Sequence, residues 1–336
     1  DFPSALPWLE QLIGQIAESV ENAWDTRRPA VLKGMVGKAP GISWCRRIIT
    51  RDGRIVPYRN RPPDDEVLKE PRDENVPVVL VEGDGWNGVL VNFACHATTV
   101  QVQPLVSADF PGVACRLVEE TLGAEACLFF QGTCGNVNPL RGTSCFDDVD
   151  LYGQALADEV LRCVRQLQQQ SSSPMPSLVN VVRETVALER RTLPDRATLE
   201  RAVAEGKKAI DAARTLEEKT EAIAAYREAA EPLRLVQLGS GPVFCEVQVI
   251  RLGDILIVGI EGEVFVEYGL RIHAKSPAPI TLVCAYSNGY QGYIVTPETY
   301  EEGGYEVSLG PWSRVTRNAG DVLIGRIEEL IKTVSS

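Results

Sequence analysis

The sequence predicts an α/β fold: a mixed β-sheet core covered by helices, with a helical hairpin inserted on the outside. Three observations predict it. Short apolar runs alternate with segments whose apolar residues recur every three or four positions, the pattern of strands interleaved with helices. Polar residues able to do chemistry follow several of those runs directly, where α/β sheets gather ligands. One long stretch, residues 195–235, is almost entirely Ala, Glu, Lys and Arg and reads as helix alone.

The elements follow in order. Residues 6–24 place Leu9, Ile13, Ile16, Val20 and Ala23 at spacings of three and four, an amphipathic helix. A strand over 30–36 comes next, then an irregular connection over 41–71 rich in Arg, Asp and Pro. Residues 76–82 and 88–94 read as a hairpin around Gly83-Asp84-Gly85. A helix over 111–121 leads to a buried strand over 126–130, and 132–142 form a turn of Gly, Asn and Pro. A helix over 148–168 ends in a flexible stretch, 168–176. Strands over 178–188 and 243–251 bracket the 195–235 segment. Its apolar positions are mostly Ala, so it packs as an external hairpin. Strands over 255–259 and 280–286 and a helix over 320–333 complete the alternation.

The 336 residues read as a single domain over 1–336 with the hairpin within it. At 44% hydrophobic and 24% charged, the composition is that of a globular protein and excludes disordered or fibrous classes. A net charge of −12 repels phosphate backbones, so no nucleic-acid partner is expected. No apolar run reaches the roughly 20 residues of a transmembrane segment. The nine cysteines are odd in number, irregularly spaced and mostly set in apolar strings, which predicts reduced thiols and a cytoplasmic location.

Chemistry concentrates at four strand ends. His96, one of two histidines, ends the apolar run before it and reads as a ligand or base, or as a hydrogen-bonded core histidine. His273 lies beside Lys275 and reads as a solvated helix position. The run Gln131-Gly132-Thr133-Cys134-Gly135-Asn136-Val137-Asn138 offers backbone freedom with amide donors and acceptors, as a site or as a structural turn. Glu261 and Glu263 follow the strand at 255–259 as hard oxygen ligands, general bases or helix N-terminal charges. Tyr290, Tyr293 and Tyr305 stand beside glycines in loops, where their hydroxyls need partners. Nucleophile-elbow, phosphate-loop and dinucleotide motifs are missing from the sequence. Metal-assisted hydrolysis is therefore favoured, ahead of acid–base catalysis without a metal.

In order, residues 92–99, Ser107-Ala108-Asp109-Phe110-Pro111-Gly112, 132–139, Gly262-Glu263, 288–296 and Gly304-Tyr305-Glu306 resemble the neutral/alkaline non-lysosomal ceramidase family. The likeness spans roughly residues 7–306 outside the hairpin and is nearer the short bacterial members. It implies a zinc ion (Zn2+) held by His96, Glu263 and Tyr293. A water there, its pKa lowered to about 7, would be the nucleophile. It also implies catalytic roles for Arg46 and Tyr305, which fall where the family stabilises the oxyanion, and for Asn138. Gln131, Gly132, Asn136 and Asp109 become candidate substrate-binding residues.

Two departures qualify the likeness. Asn138 and Asn136 stand where ceramidases carry a catalytic serine and an aspartate, so a small-molecule amide or ester other than ceramide is expected. The family's first zinc histidine lies in a Thr-His-Thr-His-Ser-Gly-Pro segment upstream of the first helix, and this chain has no such segment. Two expectations follow: a missing N-terminal part that would supply a further ligand, its loss exposing a sheet edge that invites a second copy of the chain, or an incomplete zinc site. The leading reading is a zinc-dependent amide or ester hydrolase. Its rivals are a non-catalytic ceramidase-like binding or scaffold protein and a metal-free binder acting through the 131–138 loop.

Overall fold

Helix α1 (Leu6–Asp25) and strand β1 (Val31–Lys38) open the chain in a computed structural model that describes residues 6–56, 60–140, 144–170 and 178–335. Then come β2 (Ser43–Cys45), β3 (Ile48–Thr50), β4 (Ile55–Val56), β5 (Val67–Lys69), β6 (Asn75–Gly83) and β7 (Trp86–Phe93). Helix α2 (Asp109–Leu122), β8 (Ala126–Gln131), β9 (Val137–Pro139) and α3 (Phe146–Gln169) complete the first half. The second half holds β10 (Val179–Leu188), α4 (Arg196–Ala212), α5 (Leu216–Gln237), β11 (Val243–Leu252), β12 (Ile255–Ile260) and β13 (Glu263–Val264). It ends with α6 (Val266–Lys275), β14 (Ile280–Cys284), β15 (Tyr293–Ile294), α7 (Thr299–Glu302) and α8 (Ala319–Ser335).

The α/β core consists of two mixed four-stranded sheets, ordered β1-β6-β7-β8 and β10-β11-β12-β14, stacked face to face. Val78 and Leu80 of β6 face α2 and α3, whereas Val79 and Val81 face the other sheet. Both faces are buried, so the polar alternation of a half-exposed strand is erased. Helices α6 and α8 cover the second sheet through Tyr268, Ile272, Leu323 and Ile327. The layers are therefore helix, sheet, sheet, helix.

A polar residue stitches the sheets together. The Asn92 side chain, buried in β7, donates to the Phe130 and Val283 carbonyls at 2.8 and 3.2 Å and accepts from the Val283 N–H at 3.0 Å. Beyond it, the Ala285 N–H donates to the Gln131 carbonyl at 3.0 Å. β7 runs parallel to β8, and β12 to β14. Each pair thus ends on one side, and the candidate site residues gather at those ends.

Several expectations need correction. The 41–71 connection is not wholly irregular: β2 pairs with β9, and β3 pairs with β4 and β5, around a 3-10 turn at Asp64–Glu66. The 132–142 turn contains β9, while its end at 141–142 lies outside the described residues. So does most of the 168–176 stretch. His273 is no solvated position: its imidazole lies 3.5 Å from the buried Asp73 carboxylate. Burial pushes it below the ordinary histidine value, and Asp73 offsets this only in part. Helix α1 has the expected period but leaves its apolar face open, with Ile13 59% and Val20 64% exposed.

Helices α4 and α5 are joined by three residues, 213–215. They pack closely at Gly206, where a Cβ would stand 2.9 Å from the Tyr226 Cα. A reciprocal cap between Thr215 and Glu218 starts α5. None of the nine cysteines is in a disulfide.

Candidate active site

A cavity of about 620 Å³ opens where the parallel strand pairs end. His96 enters it three residues beyond β7, its backbone N–H donating to the Val137 carbonyl at 3.1 Å. Glu263 enters from the start of β13, after Gly262 at φ +94°, a backbone region that favours glycine. Tyr293, its partner across the β13–β15 pair, brings a buried phenol.

These three converge. His96 Nε2 lies 3.5 Å from Glu263 Oε2, and Tyr293 hydrogen bonds to the same carboxylate. Tyr290 donates to Glu263 Oε1 at 2.5 Å. Burial alone would raise the Glu263 carboxyl, but hydrogen bonds from His96, Tyr290 and Tyr293 hold it below the usual glutamate value. Burial pushes the Tyr293 phenol up, Arg46 opposing.

Arg46, between β2 and β3, forms the opposite wall. Its Nε donates to Glu306 at 3.2 Å, Nη1 to Asn138 Oδ1 at 3.1 Å, and Nη2 to the Gly135 carbonyl at 2.6 Å and the Tyr293 hydroxyl at 3.2 Å. Its guanidinium also lies over the Tyr293 and Tyr305 rings, at 5.5 and 5.1 Å. The Tyr293 and Tyr305 hydroxyls are 2.9 Å apart. Arg47 continues the network to Glu302 and Glu306, tying the Tyr305 turn to β2.

Of the residues singled out in the sequence, Arg46, His96, Gln131, Asn138, Glu263, Tyr293 and Tyr305 line this one cavity. Three do not. Asn136 is buried, donating to Glu267 at 2.8 Å and accepting from the Val266 N–H at 2.9 Å, so it clasps the start of α6. Asp109, the first residue of α2, accepts from the Val100 and Phe110 N–H groups at 3.2 and 2.8 Å. Gly132 serves close packing: a Cβ would stand 2.7 Å from the Ala94 Cα.

Tyr286, Thr98 and Gln101 are unforeseen members of this neighbourhood, and Cys134 of the 131–138 run adjoins it. Tyr286 is turned inward by backbone at φ +57°, a region non-glycine residues rarely adopt, and nothing in its sequence context signals that. Its hydroxyl lies 3.4 Å from Glu263 Oε2. Burial pushes the neighbouring Cys134 thiol up to about 12. Thr98 borders the cavity, and its hydroxyl oxygen is buried with no hydrogen-bond partner among the described residues.

The geometry and layering define an α/β protein with a polar site at its strand ends. Among solved structures, the neutral ceramidase from Pseudomonas aeruginosa matches at 18% identity and a TM-score of 0.63, over 95% of this chain and 55% of that one. A ceramidase complexed with C2 matches at 16% identity and a TM-score of 0.58, over 90% and 53%. The fold is neutral ceramidase-like. The chain spans little more than half the length of either neighbour. No protein-family model and no curated sequence matches it.

Proposed function

We propose that the chain is a zinc-dependent hydrolase acting on an amide or ester bond. The observation that carries this reading is the convergence of His96 Nε2, Glu263 Oε2 and the Tyr293 phenol. Two ligands, each about 2.0 Å from a tetrahedral zinc, stand about 3.3 Å apart, close to the 3.5 Å between His96 and Glu263. Among the described residues no three His, Cys, Asp or Glu side chains form a metal group, and in this reading the Tyr293 phenol supplies the third donor. One imidazole, one carboxylate and one phenolate are a hard-to-borderline set that suits zinc with an open position. When bound, zinc supplies Lewis-acid and water-activating chemistry.

The chain's own groups do the rest. Arg46, held by Glu306, Asn138 and the Gly135 carbonyl, presents a fixed positive charge beside the Tyr305 hydroxyl. A carbonyl oxygen placed between them would be steadied as it gains charge, with little reorganisation needed. Asn138 Oδ1 already accepts from Arg46, so its role is to aim the guanidinium. Thr98 and Gln131 line the cavity that would hold the substrate. The cavity, about 620 Å³, is of the size that takes a small-molecule substrate.

The test is zinc content after purification without added metal. About one zinc per chain is expected, lost in His96→Ala and in Glu263→Ala. Zinc retained in either variant overturns the ligand assignment. A stable wild-type chain that takes up no zinc would fit the non-catalytic binding protein instead.

A further inference from the structure

The two ring nitrogens of His96 face different surroundings. Nε2 looks toward Glu263. Nδ1 lies 2.8 Å from Cys134 Sγ and 3.2 Å from the Tyr286 hydroxyl oxygen. We propose that Cys134 and Tyr286 are positioning residues: together they accept the Nδ1 proton of His96 and hold the ring so that the Nε2 lone pair points at the Glu263 side of the cavity. The inference rests on the reading of His96 as a zinc ligand through Nε2.

The backbone puts Cys134 where it can do this. Gly132 and Gly135 flank it, and each permits an approach that a side chain would block. A Cβ on Gly132 would stand 2.8 Å from the Ala94 backbone nitrogen, and one on Gly135 would stand 2.5 Å from the Glu263 carbonyl oxygen. The turn is therefore clamped between the segment that delivers His96 and the residue that faces it. Cys134 sits in that clamp with no exposed surface, and its sulfur also reaches the Tyr286 hydroxyl at 3.8 Å.

Tyr286 supplies the second acceptor. Its hydroxyl donates to Glu263 Oε2 at 3.4 Å, which leaves its lone pairs free for the Nδ1 proton. One phenol thus links both proposed ligands. Metal-binding histidines commonly donate their second N–H to a carboxylate, carbonyl or water, and loss of that partner weakens metal binding by about 10–100-fold. Here a neutral thiol and a phenol take that place, and no carboxylate accepts at Nδ1 among the described residues.

The experiment uses zinc as the probe. Zinc affinity is measured by competition with a chromophoric chelator, and the imidazole N–H signals of the zinc-loaded protein are followed by NMR. The chain has two histidines, so the spectrum is simple, and His273→Gln identifies the other signal. The expected result is a slowly exchanging His96 Nδ1–H signal in the wild type. In Cys134→Ala it should shift and exchange faster, with zinc affinity about 10–100-fold lower. Cys134→Ser, which keeps an acceptor, should recover most of both, and Tyr286→Phe should weaken both. An unchanged His273 signal certifies that each variant is folded.

Unchanged affinity and an unchanged His96 signal in Cys134→Ala overturn the positioning role and leave the zinc reading standing. A sulfur-to-metal charge-transfer band in the cobalt-loaded wild type, absent in Cys134→Ala, also overturns it, because Cys134 would then be a ligand. A wild type that binds no zinc overturns both readings.

Discussion

Arg46 makes four hydrogen bonds from a part-buried guanidinium, and three of them end on Glu306, Asn138 and the Gly135 carbonyl, which hold it in place. A side chain so fixed can meet developing charge without moving. Arg46→Ala is expected to lower kcat about 100- to 1,000-fold with little change in KM, and Arg46→Lys to recover only part, lacking the planar fork. Steady-state kinetics on a chromogenic ester or amide would check this. At this scale the sequence motifs carry His96, Glu263, Tyr293 and Tyr305 to one cavity. Asn136 and Asp109, polar residues of the same motifs, turn their side chains to backbone N–H groups instead. The sequence was silent on Tyr286, which reaches the site through a left-handed backbone angle that no composition or spacing encodes.

Between elements, α6 meets the segment ahead of β6 through His273 and Asp73. Burial keeps the folded His273 pKa below its unfolded value of about 6.5, so the unfolded chain takes up that proton first on acidification. Stability is then unaffected above about pH 6.5 and falls as pH drops from there toward the lower folded value. Thermal melts of His273→Gln between about pH 7 and 5 should show a shallower decline in Tm than wild type. The long strands and helices were legible because period two, period three-to-four and Gly-rich turns are local properties. The small strands β2, β3, β4 and β5 were not. Each is two or three residues long and exists through pairing with distant partners such as β9.

Across the whole molecule, the division into two stacked sheets was hidden because a strand buried on both faces reads the same in one sheet or in two. Asn92 records the division. Its side chain supplies to β14 the pairing a neighbouring strand would have given. Asn92→Leu would orphan the buried Val283 N–H and carbonyl, and is expected to lower stability by about 2–5 kcal/mol, read as an earlier urea midpoint. The pairing of Leu188 with Val243 has a different implication. The chain departs from the second sheet and rejoins it at adjacent points, so the register of β10 on β11 does not depend on how much sequence lies between them. That makes the α4–α5 excursion a natural splice point. A shorter turn, a longer hairpin or a whole guest domain could be exchanged there while the strands, and the cavity built on their ends, keep their places.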